Sequence, residues 1–192
     1  MEERPHKSRR GPKPATAAHL ENAALHYLER FASSSGNLRR VLRRKVARAA
    51  RVHGGDPAEG ERLVEEIVAR YLRSGLLDDR AYAAQQAASL RRRGASRYGI
   101  RGRLAVKGVA AELVDEALSA LDAEPGDSEL AAACALVRRR RLGPCRAPEQ
   151  RALFRQKDLA ALARAGFGIE TAQRVLAAAD TEALAALERG EG

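Results

Sequence analysis

Two stretches carry the fold: Leu38-Arg39-Arg40-Val41-Leu42-Arg43-Arg44-Lys45 and Ile100-Arg101-Gly102-Arg103-Leu104-Ala105-Val106-Lys107. Each has an aliphatic residue followed by Arg, a Leu four positions after the aliphatic, and a Lys three after that. Gly108-Val109 follows the second copy, and Leu162-Ala163-Arg164-Ala165-Gly166-Phe167 echoes positions 104–109. Steps of four and three are the stripe of an α-helix. A period of about sixty residues is that of a small helical unit used more than once. Both full copies place cations beside an apolar seam, as in a basic repeat protein that grips something acidic.

Outward from these helices, residues 20–31 carry Leu20, Ala24, Tyr27, Leu28 and Phe31 on one helical face. Ser33-Ser34-Ser35-Gly36-Asn37 breaks that helix, and Ser35 or Asn37 is expected to cap the basic helix 38–52. Asp56-Pro57 opens a third helix to about residue 74, with Leu63, Ile67, Tyr71 and Leu72 inward and Gly75 as its stop. The second unit starts at Leu76-Leu77-Asp78-Asp79, with Asp78 as N-cap. It continues to Arg93, through the basic helix 97–107, and into a helix at 110–121. An acidic Pro-Gly linker, 122–127, precedes helices at 129–141, 149–164 and 169–178. Leu142-Gly143-Pro144-Cys145-Arg146-Ala147-Pro148 lies between the first two, and a short tail helix follows at 181–189. Val, Ile, Thr, Tyr and Phe nowhere alternate long enough for a sheet. The expected fold is all-α: three tandem units of about three helices.

The chain has 192 residues, 45% hydrophobic but only 4% aromatic, and a net charge of +10. Ala-rich, aromatic-poor chains bury their apolar surface as closely packed helices. This charge suits nucleic acid, an anionic membrane surface or an acidic protein; it also fits a solubility surface from Arg-rich coding. Two cysteines without a secretory leader suggest a reducing compartment, and no run reaches the ~18 apolar residues of a membrane span. The expectation is a cytoplasmic protein.

Candidate functional residues are the cations of the two basic helices: Arg39, Arg43 and Lys45 in the first, and Arg97, Arg101, Arg103 and Lys107 in the second. A guanidinium fork donates two parallel hydrogen bonds to phosphate or carboxylate alike. Tyr98 among them could stack on a base, although such a ring more often packs on a core edge. Arg91-Arg92-Arg93 and Arg138-Arg139-Arg140-Arg141 complement helix C-termini. Asp78 and Asp79 read as a cap. His19, His26 and His53 show no metal spacing with the cysteines. Cys134 lies on an apolar face, and Cys145 sits in a Pro loop without a nucleophile signature. No phosphate-cradling Gly loop, nucleophile elbow or dinucleotide fingerprint occurs. No enzyme, cofactor or catalytic residue is expected.

Gly75-Leu76-Leu77-Asp78-Asp79-Arg80-Ala81-Tyr82-Ala83, then Gly94, then residues 100–109 resemble the central signature of the RecX family, regulators of the RecA recombinase. Ala24-Leu25-His26-Tyr27-Leu28-Glu29-Arg30 with residues 38–45 looks like the family's first repeat, and 162–167 with 169–176 is similar to its third. The resemblance implies three three-helix repeats in an elongated, curved molecule. The chain is expected to divide into a disordered basic arm at 1–18, repeats at 19–75, 76–122 and 123–180, and a tail at 181–192. The resemblance implies a non-enzymatic protein that binds the RecA filament, lodges in its groove and suppresses ATPase, strand exchange and coprotease activities, thereby tuning recombination and the DNA-damage (SOS) response. It also implies binding to DNA, single- or double-stranded. No membrane partner is expected, and the expected state is a monomer. The seven cations would pair with recombinase carboxylates or DNA phosphates. The alternative is a DNA-binding transcription regulator or architectural factor. Two departures stand out. Val46 replaces the glycine after Lys45, so that helix should run longer. Ala165 replaces the third basic residue.

Overall fold

Hydroxyl or carboxyl oxygens of Thr16, Ser34, Asp56, Ser96 and Asp180 each cap the start of a helix. In the computed structural model, which describes residues 12–123 and 128–190, the chain is all-α, with ten helices, one 3₁₀ turn and no strand among those residues. The chain divides into two units at Asp78/Asp79.

In the first unit, α1 spans Ala17–Leu28, α2 Ser35–His53 and α3 Pro57–Arg73. Residues 17 and 18, expected to be disordered, belong to α1, and Thr16 caps it by accepting the His19 N–H at 3.2 Å. Residues 1–11 of the expected arm lie outside the described residues. The cap of α2 is Ser34, and neither Ser35 nor Asn37. Ser34 is extended (φ −76°, ψ 160°) and accepts the Asn37 N–H at 3.1 Å. The Asn37 amide is used elsewhere, donating to the Tyr27 hydroxyl at 2.8 Å and to Ser33 Oγ at 2.9 Å. Asp56 caps α3 at the Ala58 N–H, 2.8 Å away, with Pro57 in the first turn as expected.

The core of this unit is Leu20, Ala24, Leu38, Leu42, Val46, Val64, Ile67, Val68, Tyr71 and Leu77. Val46 stands where the second copy has Gly108. It points into this core, and α2 runs on to His53. Gly60 makes room for it: a Cβ at Gly60 would lie 2.3 Å from Val46 Cγ1. Two residues read as inward are not. Phe31 is 54% exposed, with its ring 5.3 Å from that of Tyr27, and Leu72 is exposed because Tyr71 takes the buried position.

In the second unit, α4 spans Asp79–Arg92, α5 Arg97–Val106, α6 Ala111–Asp122 and α7 Ser128–Arg140. A 3₁₀ turn at Gly143–Cys145 precedes α8 (Pro148–Arg164), α9 (Ile169–Leu176) and α10 (Thr181–Arg189). One core, with Tyr82, Ala83, Ala87, Ile100, Leu104, Val114 and Leu118, joins α4, α5 and α6. Another, with Leu130, Ala133, Leu136, Val137, Leu162, Phe167, Val175 and Leu184, joins α7 to α10. The helix read as a tail therefore contributes a fully buried Leu184. This second core draws on four helices where three were expected.

The repeated sequence becomes repeated backbone. Ser96, like Ser34 four residues before the first aliphatic, caps its helix by accepting the Gly99 N–H at 3.0 Å. At the other end Val109 N–H bonds to Leu104 O and Phe167 N–H to Leu162 O, each at 3.1 Å. These bonds close over Gly108 (φ 72°) and Gly166 (φ 88°), the left-handed stop that favours glycine.

The third seam is broken. Four residues before Leu162, where Ile100 and Leu38 stand in the other copies, is Asp158, only 1% exposed. Its carboxylate accepts the Gly143 N–H at 2.8 Å and the Arg146 guanidinium at 2.8 and 2.7 Å. Burial alone would raise the pKa of Asp158; Arg146 and the Gly143 N–H outweigh it and hold the carboxyl below its ordinary value. The carboxylate thus folds the Gly-Pro insertion onto α8, exchanging a hydrophobic contact for a charged staple.

Candidate partner-binding surface

The basic helices owe their cations to sequence and their solvent-facing rows to the seams, which turn Leu38, Leu42, Val46 and Ala49 of α2 and Ile100 and Leu104 of α5 inward. On α2, Arg39 Nε donates to the two Glu65 carboxylate oxygens at 3.1 and 2.9 Å, and its Nη1 donates to Ser35 Oγ at 2.9 Å. Arg43 forks onto Glu61 and also reaches Glu65 at 3.0 Å. These two arginines stitch α2 to α3. Arg43 is held more firmly protonated than usual, chiefly by its hydrogen bond to Glu61. Lys45 is exposed, on the side of α2 facing away from these carboxylates and towards His19.

On α5, Arg97 is tied twice. Its guanidinium pairs with Asp122, and its backbone N–H donates to Glu129 at 3.2 and 2.9 Å. The same two carboxylates pair with Arg91, 7% exposed at the end of α4. Arg91, Arg97, Asp122 and Glu129 thus join α4, α5, α6 and α7. Nothing in the run Arg91-Arg92-Arg93 singles out the first as buried; only the helical register against α7 does. Arg101 pairs with Asp115, with both side chains about half exposed. Such a solvated pair contributes only about 0–1 kcal/mol and exchanges readily for an outside carboxylate or phosphate.

Arg103 and Lys107 flank an open groove of about 470 Å³ between α4 and α5. Tyr82, Leu90 and Leu104 form its floor, Tyr98 and Val106 stand exposed at 74% and 67%, and Gly99 and Gly102 offer bare helix backbone. Arg103 has no acidic partner among the described residues. Tyr98 is not a core-edge residue. Its Cβ and ring edge rest on Gly166, where a Cβ would come within 2.9 Å of both Tyr98 Cβ and Cδ1. The ring face is left to solvent. Ser96 Oγ donates to Ala165 O at 2.5 Å beside it, so the start of α5 is seated on the end of α8.

The seven candidate cations are therefore unequal. Arg39, Arg43 and Arg97 hold helices together, Arg101 is half committed, and Lys45, Arg103 and Lys107 stand at open clefts. Burial pushes the Cys134 thiol up to about 11 and raises that of Cys145. Neither is a thiolate nucleophile near neutral pH. No cluster of three or more His, Cys, Asp or Glu side chains that could hold a metal occurs among the described residues, and no described helix is long and apolar enough to cross a membrane.

The described residues thus form an all-helical protein with cationic, partly apolar clefts. Residues 78–118, which cover α4 to most of α6, match the family model described as RecX, second three-helix domain. A Regulatory protein RecX from Myxococcus xanthus (strain DK1622) is 47% identical over 174 residues, covering 88% of this chain and 92% of that protein. A Regulatory protein RecX from Agrobacterium fabrum is 33% identical over 162 residues, covering 84% of each chain. No solved structure matches at a significant level. The chain belongs to the RecX family of regulatory proteins, which are not enzymes.

Proposed function

We propose that this protein restrains the RecA recombinase by binding its filament on DNA, lowering ATPase, strand-exchange and coprotease activity without chemistry of its own. It would act in the cytoplasm as a monomer. The groove between α4 and α5 carries the reading best: Tyr98 and Val106 stand exposed beside Arg103 and Lys107, with bare backbone at Gly99 and Gly102. An apolar strip edged by cations suits a protein surface that presents carboxylates around an apolar anchor, because the anchor supplies affinity and the charges supply register. Three modules, at about 19–75, 76–122 and 123 onward, would each contribute a face. DNA phosphates would share the remaining cations, Lys45 among them.

Binding to recombinase-coated single-stranded DNA, compared with the same naked DNA, tests this. Tighter binding to the coated strand, weakened by Arg103→Ala/Lys107→Ala, is the expected result. Equal binding to both, or strong preference for one naked duplex sequence, would replace this reading with that of a DNA-binding transcription regulator or architectural factor.

A further inference from the structure

The first unit holds a second cationic cleft that lies apart from the Arg39–Arg43 lattice. The segment before α1 is drawn along α2: His53 Nε2 lies 2.6 Å from the Pro12 carbonyl oxygen, a hydrogen bond with the ring N–H donating. This brings Lys13 beside His19 of α1 and the outer row Arg44, Lys45 and Arg48 of α2, around a cavity of about 370 Å³. Val41 and Pro12 complete the lining, and α3 contributes nothing to it. The contrast with the opposite side of α2 is sharp. There Glu61 and Glu65 neutralise Arg39 and Arg43. Here, among the described residues, no carboxylate pairs with Lys13, Arg44, Lys45 or Arg48. Four like charges converging around one cavity repel one another, and only an anion entering it relieves that repulsion.

We propose that this cleft, formed by Lys13, His19, Arg44, Lys45 and Arg48, is a phosphate-binding site in the first unit. It deepens the reading of a filament-binding regulator by giving that unit its own anionic ligand. Two guanidinium forks and two ammonium groups suit the several acceptor oxygens of a phosphate chain better than a single carboxylate. The phosphate could come from a nucleic-acid backbone or from a small polyphosphate.

His19 gives the site a signature. Burial and the charges of Lys13 and Lys45 lower its pKa, so the empty cleft holds a neutral imidazole near neutral pH. The other charged groups at the cleft, Arg44 and Arg48, are cations too. On α1 itself, Glu21 is turned to Arg70 of α3, and Glu29 pairs with His26. A bound phosphate reverses the sign of the local field and raises the His19 pKa, so binding takes up a proton and strengthens as pH falls.

The test uses the full-length protein without recombinase. The His19 ring is followed by NMR while pH is varied, alone, with inorganic tripolyphosphate, and with a short single-stranded oligonucleotide. A His19 pKa raised by the oligonucleotide assigns the site to nucleic acid; one raised by tripolyphosphate alone assigns it to a small polyphosphate. Either supports the proposal. No change with either probe overturns it. In parallel, oligonucleotide affinity should rise several-fold from pH 8 to pH 6 in the wild type and stay nearly flat in His19→Gln. Lys45→Ala/Arg48→Ala should lower the slope of log affinity against log salt by about two, one for each cation removed from a phosphate. An unchanged slope in a folded double variant would contradict the site. Because none of these measurements contains recombinase, their failure leaves filament inhibition untouched.

Discussion

At the scale of single residues, Asp158 illustrates how one substitution in a repeated seam alters what the seam does. Ile100 and Leu38 contribute burial; Asp158 at the matching place is a carboxylate removed from water and held by Arg146 and the Gly143 N–H. Removing one partner of such a pair leaves an uncompensated buried group, so Asp158→Ala should destabilise the second unit by roughly 3–5 kcal/mol. Urea unfolding of the full chain checks this. The pH dependence has a definite sign. The folded pKa is lowered, so the stabilisation is complete above the unfolded carboxylate pKa of about 3.9 and is lost as pH falls through the lowered folded value. Wild-type Tm should therefore fall on acidification below about pH 4, more steeply than that of Asp158→Asn. An equal slope in both would show that the staple contributes nothing. Sequence reading did not find Asp158, because a lone Asp in a helix rich in charge carries no mark of burial. The signal was there in register: counting back four from Leu162 lands on it.

At the scale of elements, glycines separate structural from functional positions. Gly94 has φ 77°, and a Cβ there would lie 2.7 Å from Leu136 N and 2.9 Å from Ala132 O, both backbone atoms of α7. Neither can step aside, so Gly94→Ala should cost upwards of 1 kcal/mol and loosen α4 from α7. Gly102 is the opposite case. It lies inside α5, and a Cβ there would touch nothing within 4 Å. Ala at that position should stabilise the unit by about 0.5–1 kcal/mol in thermal unfolding. If the bare backbone of α5 is where a partner docks, the same change should weaken binding to the recombinase filament. Gain of stability with loss of binding is the pattern expected of an interface glycine; gain of both would remove α5 from the interface. The helices themselves were legible from apolar spacing, and so was the run-on of α2 past Val46. Ser34 as a cap was not, because three consecutive serines are equivalent until the backbone chooses one.

At the scale of the whole molecule, charge is the property that sequence showed plainly and structure redistributed. A net charge of +10 marks a protein for an acidic partner. It does not show that Arg39, Arg43 and Arg97 are consumed by internal carboxylates that lie 18 to 32 residues away in the chain. Those pairings are set by helix packing, which one-dimensional spacing does not encode. Arg103 and Lys107 in the second unit, and Lys13, Arg44, Lys45 and Arg48 in the first, line open clefts. The family relationship, 47% identity across most of the chain, places the protein among regulatory proteins.

The central claim is that the protein lowers recombinase activity through the groove between α4 and α5, and DNA-dependent recombinase ATPase with the protein titrated in tests it most directly. Wild type should suppress turnover in a saturable way. Arg103→Ala/Lys107→Ala should require at least tenfold more protein for the same suppression, the weakening expected when about 1.4 kcal/mol of interface energy is removed. Arg39→Ala should keep near-normal inhibition wherever it remains folded. Full-strength inhibition by the groove variant, or no inhibition by the wild type at any ratio, would contradict the account.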